Sequence, residues 1–177
     1  DSGALPFVIA ARLEAAIRSL TGTDREYLLP ERPGNRVVTT RDTERISRLY
    51  LPGNNPKLMI NAGIYGASGI ILALEDSVAP DRKAEARLLV RNALRSLDFH
   101  GAERMVRINQ LPAGFDDLKA VIPHGVNLIL IPKCEHAEQV MQVDHAIRDL
   151  LGRKNDSVFL MPIIESAAGV NHAAEIA

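Results

Sequence analysis

Five short apolar runs, separated by stretches of helical period, constrain this chain more than any other feature. They are Leu49–Leu51, Gly69–Leu74, Arg104–Ile108, Asn127–Ile131 and Val158–Ile164. Near-continuous apolar character is what strands buried on both faces show. Between them, residues 83–97 place Ala86, Val90, Ala93, Leu94 and Leu97 on one helical face. Residues 135–151 bring Val140, Ile147 and Leu151 together, with Met141 and Leu150 beside them. Strand alternating with helix predicts a parallel sheet with crossover helices.

Each run ends in polar or special residues. The first leads to Pro52, Gly53, Asn54 and Asn55, the second to Glu75, Asp76 and Ser77, and the third carries Arg107 and Asn109. The fourth leads to Lys133, and the fifth to Glu165 and Ser166. In a parallel sheet all strand C-termini point the same way, so these groups converge on one rim, where (β/α) barrels and open α/β sheets build their sites. Taken singly, each has a plainer explanation. A carboxylate after a strand favours the N-terminus of the next helix, and Arg107 could serve only as an ion-pair partner for Glu75 or Asp76. Recurrence across five runs favours a functional rim.

Other chemistries find little support. With 21 basic and 22 acidic residues the net charge is −1, and the cations are dispersed, so neither nucleic acid nor an anionic membrane is an expected partner. Aromatics make up 4% with no Trp, which argues against base-stacking platforms. Cys134 is the single cysteine and reads as a packed thiol. His100, His124, His136, His145 and His172 form no metal-ligand pattern and read as surface or helix residues. Ser166 lacks the G-x-S-x-G context of a hydrolase elbow, and the glycines of "GIYGASG" precede a strand where a phosphate loop should follow one. No signal-peptide layout opens the chain, and no apolar run nears the roughly 20 residues of a membrane helix, so a cytoplasmic setting is expected. Residues 4–20 form an amphipathic helix with Ile9, Leu13, Ile17 and Leu20 at helical spacing. Residues 21–45, rich in Thr, Arg, Pro and Gly, read as a linker, so residues 1–20 belong to something other than the main domain, residues 46–177.

The stretches "RLYLPGNNPKLMINA", "GIILALEDSVAPDRKAEAR", "MVRIN", "LILIPK" and "MPIIESAAGV" together resemble, in order and spacing, the first part of citrate lyase beta subunits, within the HpcH/HpaI aldolase and citrate lyase family. The resemblance implies a TIM-type (β/α)8 barrel, incomplete here with about five βα units, and a Mg2+-dependent carbon–carbon lyase. That lyase would cleave a citryl thioester to oxaloacetate, a 2-oxo acid, and an acetyl thioester. It implies that Arg107 grips the oxo acid, that Glu165 is the first metal carboxylate, with a second beyond Ala177, and that Glu75 and Asp76 lie beneath the site. It also implies that Pro52, Gly53 and Asn54 approach the thioester arm; Lys133 faces the site in a role left open. Residues 1–20 resemble the C-terminal end of the citrate lyase gamma subunit, an acyl carrier protein. The carrier's prosthetic-group serine is then expected upstream of Asp1, and is not Ser2. This favours a carrier-bound substrate, with CoA thioesters such as malyl-CoA or citramalyl-CoA as the alternative, and a homo-oligomer or other citrate lyase subunits as partners.

Two departures accompany the resemblance. Ala73 stands where the family usually has Asp, and Ser68 where Ala-Asp usually precedes the second strand. With five units, the chain alone is expected to turn over little substrate, and a non-catalytic carrier-docking module is the rival reading. The geometric expectation is that Arg107 and Glu165 project from neighbouring strands toward one metal-holding mouth.

Overall fold

A computed structural model describes residues 5–22, 26, 28–31 and 37–177. Ser2 and residues 1–4, 23–25, 27 and 32–36 of the carrier-like and linker segments lie outside the described residues.

Five strands form one sheet in chain order: β1 (Arg48–Pro52), β2 (Gly69–Ala73), β3 (Glu103–Arg107), β4 (Leu128–Ile131) and β5 (Phe159–Pro162). All four pairings are parallel. The helices are α1 (Leu5–Thr21), α2 (Pro56–Ile60), α3 (Lys83–Ser96), α4 (Gly114–Val121), α5 (Ala137–Leu151), α6 (Ala167–Asn171) and α7 (Ala173–Ile176). Each strand pairs with the next in sequence after an intervening helical crossover, which gives five consecutive staves of a (β/α)8 barrel. Every predicted strand is present with ends within two residues, and α3 and α5 match the predicted helices. The short helix α4 was not anticipated, because its eight residues are too few to establish a period.

The period of two splits each strand between two layers. Ile70, Leu72, Val106, Ile129 and Ile131 belong to the larger core with Val90 and Leu94 of α3 and Val143 and Ile147 of α5, all buried. Burying one such side chain contributes about 2 kcal/mol. Ile71, Met105, Leu128 and Leu130 face the other way, packed with Phe159, Met161 and Ile163 as the filling of the barrel. β5 is only half-buried along its length, and Tyr50 on β1 is 49% exposed, because these strands are the sheet's two edges.

Two sequence expectations are corrected. The first concerns α1, whose Ile9, Leu13 and Leu20 are exposed while Phe7, Ala11 and Glu14 are fully buried. This helix lies against α3. Glu14 accepts hydrogen bonds from Arg91 at 3.0 and 2.5 Å and pairs with Arg18 at 2.8 Å, and Asn92 donates to the Phe7 carbonyl at 3.2 Å. A buried carboxylate on the packed face is invisible to hydrophobic periodicity, which therefore chose the wrong face. Second, of the surface and helix alternatives for the histidines the surface one fails at His124, which ends a short 3-10 helix (Ile122–His124) and is buried, with Nδ1 2.9 Å from Arg95 Nη1.

A strap runs beneath the N-terminal ends of the strands. Arg45 donates to both oxygens of buried Glu103 at 2.6 and 2.9 Å, and Thr39 Oγ1 adds a bond at 2.8 Å. Asn127 Nδ2 donates to the Val37 carbonyl at 2.9 Å. Ser68, the departure that precedes the second strand, belongs to this lower end, where its hydroxyl accepts from the Ile46 and Ser47 amides.

Candidate active site

At the opposite end the inner-face alternation continues past the strands. Ile71 and Ala73 lead to Glu75, Met105 leads to Arg107, and Met161 and Ile163 lead to Glu165. The same period that fills the barrel with apolar side chains therefore sets charges on its upper layer. Arg107 reaches three carboxylates: Glu75 in direct contact, Glu165 at 3.5 Å and Asp76 at 3.7 Å. The convergence is as expected, but not from neighbouring strands: β4 stands between Arg107 on β3 and Glu165 beyond β5.

Lys133 closes the constellation. Its Nζ lies 3.0 Å from Glu75 and 3.4 Å from Asp76, and its backbone N–H donates to Glu165 Oε2 at 2.9 Å. The residue adopts φ 48°, a left-handed conformation uncommon for a side chain of this kind. It is held there because Cys134 N donates to the Ile163 carbonyl at 2.9 Å and Gly169 packs tightly on the Cys134 carbonyl, where a Cβ would sit 2.6 Å away.

Burial divides the acids. Glu75 is 3% exposed, and its oxygens meet Arg107 and Lys133 as ion pairs without hydrogen-bond alignment. Asp76 has a side chain 67% exposed. Partial desolvation alone would raise its pKa. The hydrogen bond and charge of Lys133, with Arg107, outweigh that and hold the carboxyl below its ordinary 3.8. In return, contact with Glu75 first, and Asp76 next, raises the Lys133 ammonium above its ordinary 10.5. Lys83 donates to the Leu74 and Glu75 carbonyls at 2.6 and 2.7 Å and fixes the backbone under the acids.

The Pro52–Gly53–Asn54 turn folds against this rim. Gly53 N donates to the Ala73 carbonyl at 2.8 Å, and a Cβ there would stand 2.7 Å from the same oxygen, so glycine is required for the approach. A cleft of about 330 Å³ opens between Tyr50, Pro52, Ala73, Asp76 and Arg107. Asn109 does not join the site: it is buried and donates its N–H and Nδ2 to Asp117 at 2.6 and 2.7 Å. Ser166 caps α6, accepting from Gly169 N at 3.1 Å and donating to Glu135 at 2.6 Å. Cys134 is buried, and burial pushes its thiol pKa up, as a packed thiol requires. A second cleft of about 400 Å³ lies in the helix layer, where Arg18, Arg87, Arg91 and Lys119 each already pair with a carboxylate.

The donors at the rim are all oxygens, which suits a hard divalent cation. Among the described residues no group of three or more His, Cys, Asp and Glu side chains is arranged to hold a metal by itself. Mg2+ needs no such cage; it commonly takes one or two carboxylates and completes its shell with water and substrate oxygens. Glu165, oriented by the Lys133 amide, fits that requirement.

Residues 46–177 match the family model described as HpcH/HpaI aldolase/citrate lyase. The chain belongs to the HpcH/HpaI aldolase/citrate lyase family. It is 40% identical over 143 residues to the citrate lyase subunit beta of Leuconostoc mesenteroides subsp. cremoris, covering 77% of this chain and 47% of that protein. It is also 40% identical over 138 residues to the L-malyl-CoA/beta-methylmalyl-CoA lyase of Cereibacter sphaeroides, covering 73% and 43%. The citrate lyase beta subunit of M. tuberculosis, solved with oxaloacetate and magnesium, superposes with a TM-score of 0.54 at 28% identity, covering 73% of this chain and 51% of that one. This family member thus spans about half the length of the curated relatives it matches. Among its described residues no helix is long and apolar enough to cross a membrane.

Proposed function

We propose that this chain supplies the metal-binding and oxo-acid-binding part of a Mg2+-dependent carbon–carbon lyase of citrate lyase type. The observation that carries the reading is the meeting of Arg107 with Glu75, Asp76 and Glu165 at one mouth of the sheet. In the proposed reaction a citryl thioester loses its hydroxyl proton and the bond between the carbinol carbon and the thioester α-carbon breaks. The electron pair passes to that α-carbon, giving oxaloacetate and, after protonation, an acetyl thioester. Mg2+, when bound, supplies Lewis-acid polarisation of the oxo acid.

Glu165 would hold the cation. Arg107 offers a planar fork that takes a substrate carboxylate bidentately, which an ammonium does less well. Glu75, buried behind the guanidinium, orients that fork. Pro52, Gly53 and Asn54 form the wall toward the thioester arm. A carrier-bound substrate is favoured by the resemblance of residues 1–20 to an acyl-carrier tail. The relative that acts on malyl-CoA, at equal identity, supports a second reading in which the thioester is free CoA. Assembly with further copies or other lyase subunits belongs to the same proposal.

Calorimetric Mg2+ titration tests the reading. Binding should be abolished by Glu165→Gln, and oxaloacetate affinity should fall with Arg107→Ala. A protein whose Mg2+ and oxaloacetate binding ignores both changes is a carrier-docking module instead. Comparing citryl-CoA with a carrier-linked citryl group separates the two thioester readings.

A further inference from the structure

Lys133 reaches every acidic side chain of the rim by two different groups. Its amide serves Glu165, and its ammonium lies between Glu75 and Asp76. The left-handed backbone at this residue makes both contacts possible at once. Formally the mouth carries three negative charges and two positive ones. Adding a divalent cation with both basic side chains in place would leave it one unit positive, whereas releasing one ammonium returns it to neutrality. The two bases differ in freedom. The Arg107 side chain is 17% exposed, while that of Lys133 is 42% exposed.

We propose that the Lys133 ammonium is a built-in counter-cation that opposes entry of the divalent metal at Glu165 and leaves its contacts with Glu75 and Asp76 when the metal enters. The proposal rests on the reading of this mouth as a metal site. It deepens that reading by making Lys133 the residue that sets metal affinity. The amide contact to Glu165 is unaffected by the expulsion, so the carboxylate stays oriented while the ammonium moves.

The test is Mg2+ titration calorimetry on the unmodified chain, Lys133→Met, Lys133→Arg and Glu165→Gln, at fixed ionic strength. Removing a cation from contact with the acids should tighten Mg2+ binding about tenfold in Lys133→Met, while Lys133→Arg, which keeps the charge, should stay within about twofold of the unmodified chain. A second measurement needs no variant. Acetylation of Lys133 by an N-hydroxysuccinimide ester, read by mass spectrometry, should rise several-fold on adding Mg2+, while labelling of the exposed Lys57 and Lys154 stays level. Equal or weaker Mg2+ binding in Lys133→Met, or labelling of Lys133 that Mg2+ leaves unchanged or lowers, overturns the proposal. If Glu165→Gln still abolishes binding in that case, the metal-site reading stands and only the role of Lys133 falls. If neither the unmodified chain nor Lys133→Met binds Mg2+, both fall.

Discussion

Arg107 and Glu165 approach to 3.5 Å although a whole strand, β4, separates the elements that carry them. The guanidinium spans the gap because it stands on the inner face of β3, where curvature brings non-adjacent staves together. Glu165 meets it three residues beyond the end of β5, pinned by the amide of Lys133 from the strand between. The intervening strand contributes the clamp that lets its two neighbours meet.

Shape as well as charge should matter at position 107. Arg107→Lys keeps the positive charge but loses the fork that addresses two oxygens at once. Oxaloacetate affinity is expected to fall by about 1.5–3 kcal/mol, the range for hydrogen bonds to charged groups. Mg2+ binding, measured in the same calorimetric series, should change far less.

The tight packing of Gly169 on the Cys134 carbonyl makes a methyl group there costly. Gly169→Ala would place a Cβ 2.6 Å from that backbone oxygen, so the turn holding Lys133 must shift. A stability loss of about 1–3 kcal/mol in urea unfolding is expected from overpacking, together with weaker Mg2+ binding. Full retention of both would show that the turn gives way without disturbing Glu165.

Between α1 and α3, Arg91→Met removes the guanidinium that donates to both oxygens of buried Glu14, while Arg18 still pairs with it. Breaking a buried pair from one side costs about 3–5 kcal/mol. The double change Glu14→Leu with Arg91→Met should recover most of it, because neither member of the fully buried pair then remains and Arg18, which loses Glu14, has a side chain 36% exposed to solvent. Urea denaturation of the two single variants and the double variant gives the coupling directly.

The rim acids give a pH signature with a definite sign. Asp76 has a depressed pKa, so the stability from its pairing with Lys133 is fully present above the ordinary 3.8 and fades as pH falls through that value and below. The raised Lys133 pKa works in the opposite direction: its contribution holds below 10.5 and is lost as pH rises beyond. The stability difference between the unmodified chain and Asp76→Asn should therefore be level from pH 5 to 9 and shrink toward zero below pH 4.

The strands and their polar ends were legible because both rest on local periods: an apolar run of the right length, then a charge where the run surfaces. Glu75, Arg107 and Glu165 fall on one parity of their strands, so their convergence followed from pattern alone. What escaped was carried by polar groups whose partners are distant in sequence. Glu14 meets Arg91 across 77 positions, and its burial turned α1 opposite to the hydrophobic reading. Asn109 was drawn into the rim by its place in the sequence, but Asp117, on a helix too short to announce itself, keeps it out. Lys133 was visible as a strand-end base, whereas its left-handed backbone and double role were not, since nothing in Lys favours that conformation.

The Arg45–Glu103 tie acquires a meaning beyond holding the lower end of the sheet together. Glu103 and Arg107 are the first and last residues of one strand, roughly 13 Å apart along it, and share a face. Sliding that strand by a single position would turn both outward among the helices. The salt link at the base thus acts as a zero mark, and the guanidinium at the top is read off against it.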